Sequence, residues 1–177
     1  NKKYKEKLYA EIDNFQRKPT YSDFNQSFKY LESTLCEALR LNPSVPFLGR
    51  SCVQDTKLPQ IDGEDKQYTI RKRDVVLVSN YAMARNKKVW GDDAEQYKPE
   101  RWTKGLNTFD QYKFSVFNIN PRLCLGKNFA VQEAKVFGFY FLKNFQFEMK
   151  KGHSVIVKGG AILNMENGLP IILKARK

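Results

Sequence analysis

Cys124 stands in the segment Phe114-Ser-Val-Phe-Asn-Ile-Asn-Pro-Arg-Leu-Cys-Leu-Gly-Lys-Asn-Phe-Ala130, which holds the residues best suited to chemistry. A thiolate needs positive potential to remain ionised, and two sources lie beside this sulfur. A helix predicted to begin just after it presents free N–H groups and the positive end of its dipole. Arg122 precedes Cys124 by two residues and Lys127 follows it by three. Gly126 lets the backbone pass close to a flat ligand where a side chain would collide. Phe117 is placed to shield the sulfur from water. The same loop also suits an inert cysteine packed as a small core residue, and its physics alone leaves both readings open.

The other candidate ligands carry less. Three cysteines and one histidine are widely spaced with no CxxC pair, which argues against a zinc site or a dithiol redox centre. An odd cysteine count with no visible secretory signal fits a reducing compartment. Cys36 and Cys52 read as packing residues, and His153, after Gly152, as an exposed turn residue. The net charge of +12 attracts anions: nucleic acid, anionic lipid or an acidic protein. A nucleic-acid module would interleave aromatic and basic residues on one exposed face. Here Tyr and Phe follow core periodicities, so no nucleic acid is expected as a partner. The longest apolar run, Val136 to Leu142, is too short to span a bilayer.

Several elements must position the cysteine. Tyr4, Leu8, Ile12 and Phe15 predict an amphipathic helix ending near Lys18-Pro19. A second helix is predicted from Phe28 to Leu41, striped by Leu31, Leu35 and Leu39 and closed by Pro43. Strands are expected at Gly49 to Val53, Gln67 to Ile70 and Val75 to Ser79, with a turn at Gly63 and a helical turn at Tyr81 to Arg85. Asn86 to Asn120 reads as a long loop without regular elements, of the kind that covers a site. The helix after Cys124 should run from Lys127 to Asn144, with Ala130, Ala134, Phe137 and Phe141 on one face. Beyond Phe145, turns at Lys151-Gly152, Gly159-Gly160 and Asn167-Gly168 predict small β-hairpins. The expected class is mainly α with small antiparallel β elements. Asn1 is not an initiator Met and a helix is already under way at Lys2, so residues 1–177 read as a fragment, the C-terminal portion of a single domain.

Two further motifs lie at telling distances. Glu37 and Arg40, three apart, share a helix face within Tyr30-Leu-Glu-Ser-Thr-Leu-Cys-Glu-Ala-Leu-Arg-Leu-Asn-Pro43. Downstream comes Pro99-Glu100-Arg101-Trp102. Alone, ExxR is common, and an exposed pair of this kind contributes little.

Together these segments resemble the cytochromes P450. Phe117, Arg122, Cys124 and Gly126 match the family's haem-binding signature of Phe, two residues, Gly, one residue, Arg, one residue, Cys, one residue, Gly. Ala130 fits the helix that follows. Asn120 departs from it, standing where the family usually has Gly, and Asn tolerates left-handed backbone better than most residues. The helix at 30–43 resembles the family's ExxR helix, and 99–102 its PERF-type motif.

The resemblance implies the C-terminal part of the P450 fold and a thiolate-ligated haem b on Cys124, with Phe117, Arg122, Gly126, Ala130 and Arg50 around the cofactor. Arg122 and Arg50 match family positions that bind haem propionates. Glu37, Arg40 and Arg101 would form a buried, structural network. Val45, Phe47 and Leu48, and Ala161, Ile162 and Leu163 in the last hairpin, match positions facing substrate. The implied activity is a monooxygenase acting on an apolar substrate with electrons from an NADPH-linked reductase. Lys113, Arg122 and Lys127 would steer that acidic partner. Residues 86–102 resemble the fatty-acid ω-hydroxylase branch, which suggests a fatty acid. Membrane contact through an upstream anchor, at the cytosolic face of the endoplasmic reticulum, is implied as well. The oxygen-activating helix of the family is absent from this chain, so a haem-thiolate rearrangement without O2 stays open. The fragment alone is expected to be inactive.

Overall fold

The computed structural model describes residues 2–60, 65–105 and 110–176. The turn expected at Gly63 lies outside them. Helix α1 spans Lys2–Asn14. It is followed by a helix the hydrophobic spacing does not announce, α2 at Tyr21–Gln26. Its signal is local: the Thr20 side chain accepts from Asp23 N–H, and the Asp23 carboxylate accepts from Thr20 N–H at 2.7 Å. This reciprocal cap satisfies donors that a helix start leaves orphaned. Helix α3, Lys29–Leu41, matches the predicted ExxR helix.

The strands pair in nested fashion. Strand β1, Phe47–Ser51, pairs antiparallel with β4, Val75–Ser79, while β2, Thr56–Lys57, and β3, Thr69–Ile70, pair between them. Three short helical segments follow: α4 at Asn80–Met83, α5 at Lys87–Trp90 and a 3-10 turn at Pro99–Trp102. Among its described residues the stretch 86–120, expected to lack regular elements, therefore contains two of them. They are too short for periodicity to reveal; α5 is capped by Asn86 Oδ1, which accepts from Lys88 N–H at 2.9 Å, and the 3-10 turn opens on Pro99.

Helix α6 occupies Lys127–Asn144 as predicted. Strand β5, Phe145–Met149, pairs with the distant β8, Ile171–Ala175, and encloses the hairpin β6, Val157–Lys158, with β7, Asn164–Met165. Of the three expected turns, Gly159-Gly160 thus closes a hairpin. Lys151-Gly152 and Asn167-Gly168 are turns between the inner and outer pairs, with both glycines left-handed (φ +78° and +62°). The result is a helical assembly with small antiparallel sheets.

Helix α3 is the axis of the packing. One side meets α1 and α6 in a core of Ile12, Phe24, Phe28, Leu31, Phe139 and Leu142. Phe28 and Phe139 pack there with ring centroids 4.9 Å apart. Gly138 permits this approach, since a Cβ there would stand 3.2 Å from Leu31 Cδ1. Another side of α3 meets Trp90, Ala94, Trp102 and Phe114 around Cys36 in a second core.

The face of α6 that carries Ala130, Ala134, Phe137 and Phe141 packs only in part: Phe141 touches the first core, while Ala130 and Phe137 are exposed. Lys135, Phe139 and Leu142 are buried instead, while Phe129 and Phe137 are 74% and 68% exposed. Apolar residues surround this helix, so spacing could not select the face. Lys135 is tolerated inside because its ammonium donates to Phe24 O at 2.8 Å and to Glu32 Oε2 at 3.0 Å. Among the described residues no helix is long and apolar enough to cross a membrane.

Candidate functional site

The cysteine loop is built by backbone bonds from its own residues. Cys124 N–H donates to Phe117 O at 2.8 Å, Arg122 N–H to Ile119 O at 2.7 Å, and Asn118 N–H to Ser115 O at 2.8 Å. Lys127 N–H then donates to Cys124 O at 3.2 Å as α6 begins, with Gly126 as its cap residue. The thiol therefore sits one turn before a helix N-terminus, exposed. A Cβ on Gly126 would stand beside the Cys124 sulfur, at 4.0 Å.

The expected tolerance for left-handed backbone belongs to a different residue. Asn118, not Asn120, is the left-handed residue of the loop (φ +65°), and Asn120 joins Pro121 through a cis peptide bond. Ala130 donates its N–H to Gly126 O at 2.9 Å in the first turn of α6 and is exposed.

A cavity of about 320 Å3 opens beside the sulfur, lined by Leu39, Ser44, Val45, Leu48, Val116, Phe117, Asn118, Arg122 and Cys124. It gathers one thiol, one guanidinium and apolar walls from α3, β1 and the loop. Arg50, on β1, reaches the same loop: its Nη2 donates to Asn118 Oδ1 at 2.9 Å. Of the residues expected to face substrate, Val45 and Leu48 line this cavity, while Phe47 next to them is exposed. Leu163 N–H donates to Ser44 O at 2.9 Å, bringing the last hairpin to its rim. Ala161 and Ile162 on that hairpin are exposed.

Beneath the loop, Glu37 and Arg40 are fully buried. Arg40 grips the carboxylate in bidentate fashion, Nε to Oε2 at 2.8 Å and Nη2 to Oε1 at 2.9 Å. Arg101 Nε reaches Oε1 at 3.3 Å, and Lys98 N–H donates to Oε1 at 2.8 Å. Arg40 also donates to the carbonyls of Ala84, Ala94 and Gln96. Arg101 continues to Asp93 Oδ1 at 2.6 Å. Burial pushes the Glu37 carboxyl up, but hydrogen bonds from Arg40, Trp102 and Lys98 outweigh it and hold the group below its ordinary value. One carboxylate thus ties α3 to the segment 84–102, and charge-assisted bonds offset its desolvation.

Two connections carry this scaffold to the cysteine loop, and motif reading missed both. Trp102 Nε1 donates to Glu37 Oε2 at 2.9 Å while its ring meets Phe114 edge-on at 4.5 Å. Ser115 Oγ donates to Asn80 Oδ1 at 2.7 Å, and Asn80 Nδ2 donates to Val45 O at 3.0 Å. Asn80 carried no sequence signal beyond its place after a strand. Trp102 had one, as an indole donor three residues after a helical-turn proline.

The remaining cysteines and the histidine divide. Cys36 is buried, and burial pushes its thiol up to about 12. Cys52 is only half-buried at the end of β1, its thiol donating to Gln54 O at 2.8 Å, so it caps a turn as much as it packs. His153 is half-buried rather than exposed, with Nε2 lying 3.2 Å from Gly168 O. No cluster of three His, Cys, Asp or Glu side chains is placed to hold a metal among the described residues. A metal here would need a ligand that supplies its other coordination sites.

Comparison with known proteins supplies such a ligand. The family model described as Cytochrome P450 matches residues 1–169. Noroxomaritidine synthase from Narcissus aff. pseudonarcissus MK-2014 is 38% identical over 158 residues, 88% of this chain and 30% of that protein. Alkane hydroxylase MAH1 of Arabidopsis thaliana is 35% identical over 148 residues, 80% of this chain and 28% of that protein. Cytochrome P450 86B1, also of Arabidopsis thaliana, is 36% identical over 146 residues, 81% of this chain and 25% of its own length. The chain thus spans no more than about 30% of the length of these relatives.

Proposed function

The chain belongs to the cytochrome P450 family, and on that premise we propose that the protein is a haem-thiolate monooxygenase acting on an apolar organic substrate. The family binds haem through a cysteine thiolate. When bound, that group activates O2: one oxygen atom enters the substrate and the other leaves as water, with two electrons and two protons consumed.

The residues present fit the cofactor. The observation that carries this reading is the cavity beside Cys124, whose apolar walls suit a flat macrocycle and whose Arg122 guanidinium suits a carboxylate on its edge. Cys124 would ligate the iron, Phe117 would keep water from the sulfur, and Gly126 would leave Sγ accessible. Arg122 and Arg50 would receive the cofactor's carboxylates. Val45 and Leu48 line the same cavity and would bound the substrate space, with Leu163 at its rim. Glu37, Arg40, Arg101 and Trp102 act structurally, holding the loop's foundation in place.

A long aliphatic substrate, such as a fatty acid, is the finer form of the proposal. It is supported by the likeness to a protein named for alkane hydroxylation. Electrons would come from an NADPH-linked reductase with an acidic face, drawn by Lys113 and Lys127, both outside the cavity lining. Residence at the cytosolic face of the endoplasmic reticulum, through an anchor elsewhere in the full-length protein, completes the reading.

The test is turnover of the full-length protein with its reductase, NADPH and isotopically labelled O2 on a panel of fatty acids and alkanes. One labelled oxygen per product is expected. Product formed without O2 and reductase would instead establish rearrangement chemistry.

A further inference from the structure

Asn118 does two jobs that the signature pattern does not assign to it. Its backbone is left-handed (φ +65°), which lets the chain turn between Phe117 and the residues leading to Cys124. A glycine would do that as well. The second job needs the side chain. Oδ1 accepts from Ile119 N–H at 3.0 Å and from Arg50 Nη2 at 2.9 Å. The amide is thereby fixed by its own loop and fixes, in turn, a guanidinium 68 residues away in sequence. Arg50 Nη1 is engaged as well, with Gly49 O at 2.8 Å. An exposed arginine is ordinarily free to sample many rotamers, and ordering it on binding costs affinity. Here the fork is ordered beforehand, beside the cavity that Asn118 itself helps to line with Arg122 and Cys124. Because the clamp is a neutral amide, it places no negative charge beside Arg50 to repel an incoming anion, as an aspartate at this position would.

We propose that Asn118 is a positioning residue: its side-chain carbonyl holds the Arg50 guanidinium against the cysteine loop, so that Arg50 meets a carboxylate of the bound cofactor already ordered. This rests on the haem-thiolate reading above.

The test measures haem loss from the full-length protein to a haem-scavenging globin. The parent, Asn118→Gly, Arg50→Ala and the double variant are each reconstituted with protohaem and with its dimethyl ester, which lacks free carboxylates. Asn118→Gly keeps the turn and removes the clamp. It is expected to speed protohaem loss about tenfold, the scale of one hydrogen bond to a charged group. The dimethyl ester should leave the parent and the glycine variant at similar rates. The double variant should lose protohaem no faster than Arg50→Ala. Equal acceleration for both cofactors would show a merely structural loop residue and overturn the proposal, as would no acceleration or multiplying effects. The ferrous carbonyl spectrum keeps the two claims apart. A parent without a thiolate-type band contradicts the haem-thiolate reading itself, whereas a normal band with unchanged loss rates sinks only the role of Asn118.

Discussion

The indole N–H of Trp102 and the Nε–H of Arg40 converge on one oxygen of Glu37, Oε2, at 2.9 and 2.8 Å. A tryptophan in the 3-10 turn and an arginine one helical turn from the glutamate therefore share a single buried acceptor. The same indole ring packs on Phe114 at the start of the cysteine segment. Through Trp102, the charged network and the loop are one mechanical unit.

Trp102→Phe should keep most of the ring packing and delete one donor to the buried carboxylate. Unfolding in urea is expected to show a loss of about 1–3 kcal/mol, with weaker haem retention. Glu37→Gln or Arg40→Ala should cost more, about 3–5 kcal/mol, because each strands a buried charge. The double variant should cost less than the sum of the singles. Additive effects below 1 kcal/mol would remove the network from the account.

The outer part of this network holds its carboxylate well into acid. Hydrogen bonds from Lys98 and Arg101 lower the Asp93 carboxyl from 3.8 to about 2. Its folded value lies below its unfolded one, so its stabilisation is complete above the ordinary value and disappears as pH falls through the folded one. The stability difference between the parent and Asp93→Asn should therefore be constant at neutral pH and shrink between 3.8 and about 2. Urea midpoints across that range check the sign. A difference that grows on acidification would show that Asp93 is not held as a carboxylate.

Much of the scaffold was legible because its signals are local. Helices α3 and α6 follow from leucine spacing, proline and the position after Cys124, and the ExxR and Pro-Glu-Arg-Trp motifs mark the network's members. What escaped depends on tertiary contact. The register of β5 with β8 rather than with a neighbour is set by the chain's return path. The bonds from Ser115 through Asn80 to Val45 join residues that nothing in the sequence relates. The most buried face of α6 could not be picked out because apolar residues encircle the helix, and one of its buried residues, Lys135, is charged. In the cysteine loop, Asn120 drew attention as the departure from the pattern, whereas the left-handed backbone falls at Asn118.

Charge near the loop should matter for electron delivery. The protein carries a net charge of +12, and Lys127 opens α6 directly after the loop. Lys127→Glu should slow reduction by the reductase, most at low ionic strength, where screening is weakest. Turnover driven by hydrogen peroxide, which bypasses the reductase, should be spared. Stopped-flow reduction at two salt concentrations reads this directly. A rate indifferent to both charge and salt would exclude docking at this surface and leave the haem site untouched.

The central claim is that Cys124 ligates haem iron as a thiolate, and the carbon monoxide difference spectrum of the reduced full-length protein tests it most directly. The parent should show the red-shifted band characteristic of thiolate-ligated haem. Cys124→Ser should abolish that band, while Cys36→Ser and Cys52→Ser leave it in place. A parent lacking the band, or a Cys124→Ser variant that retains it, would contradict the account.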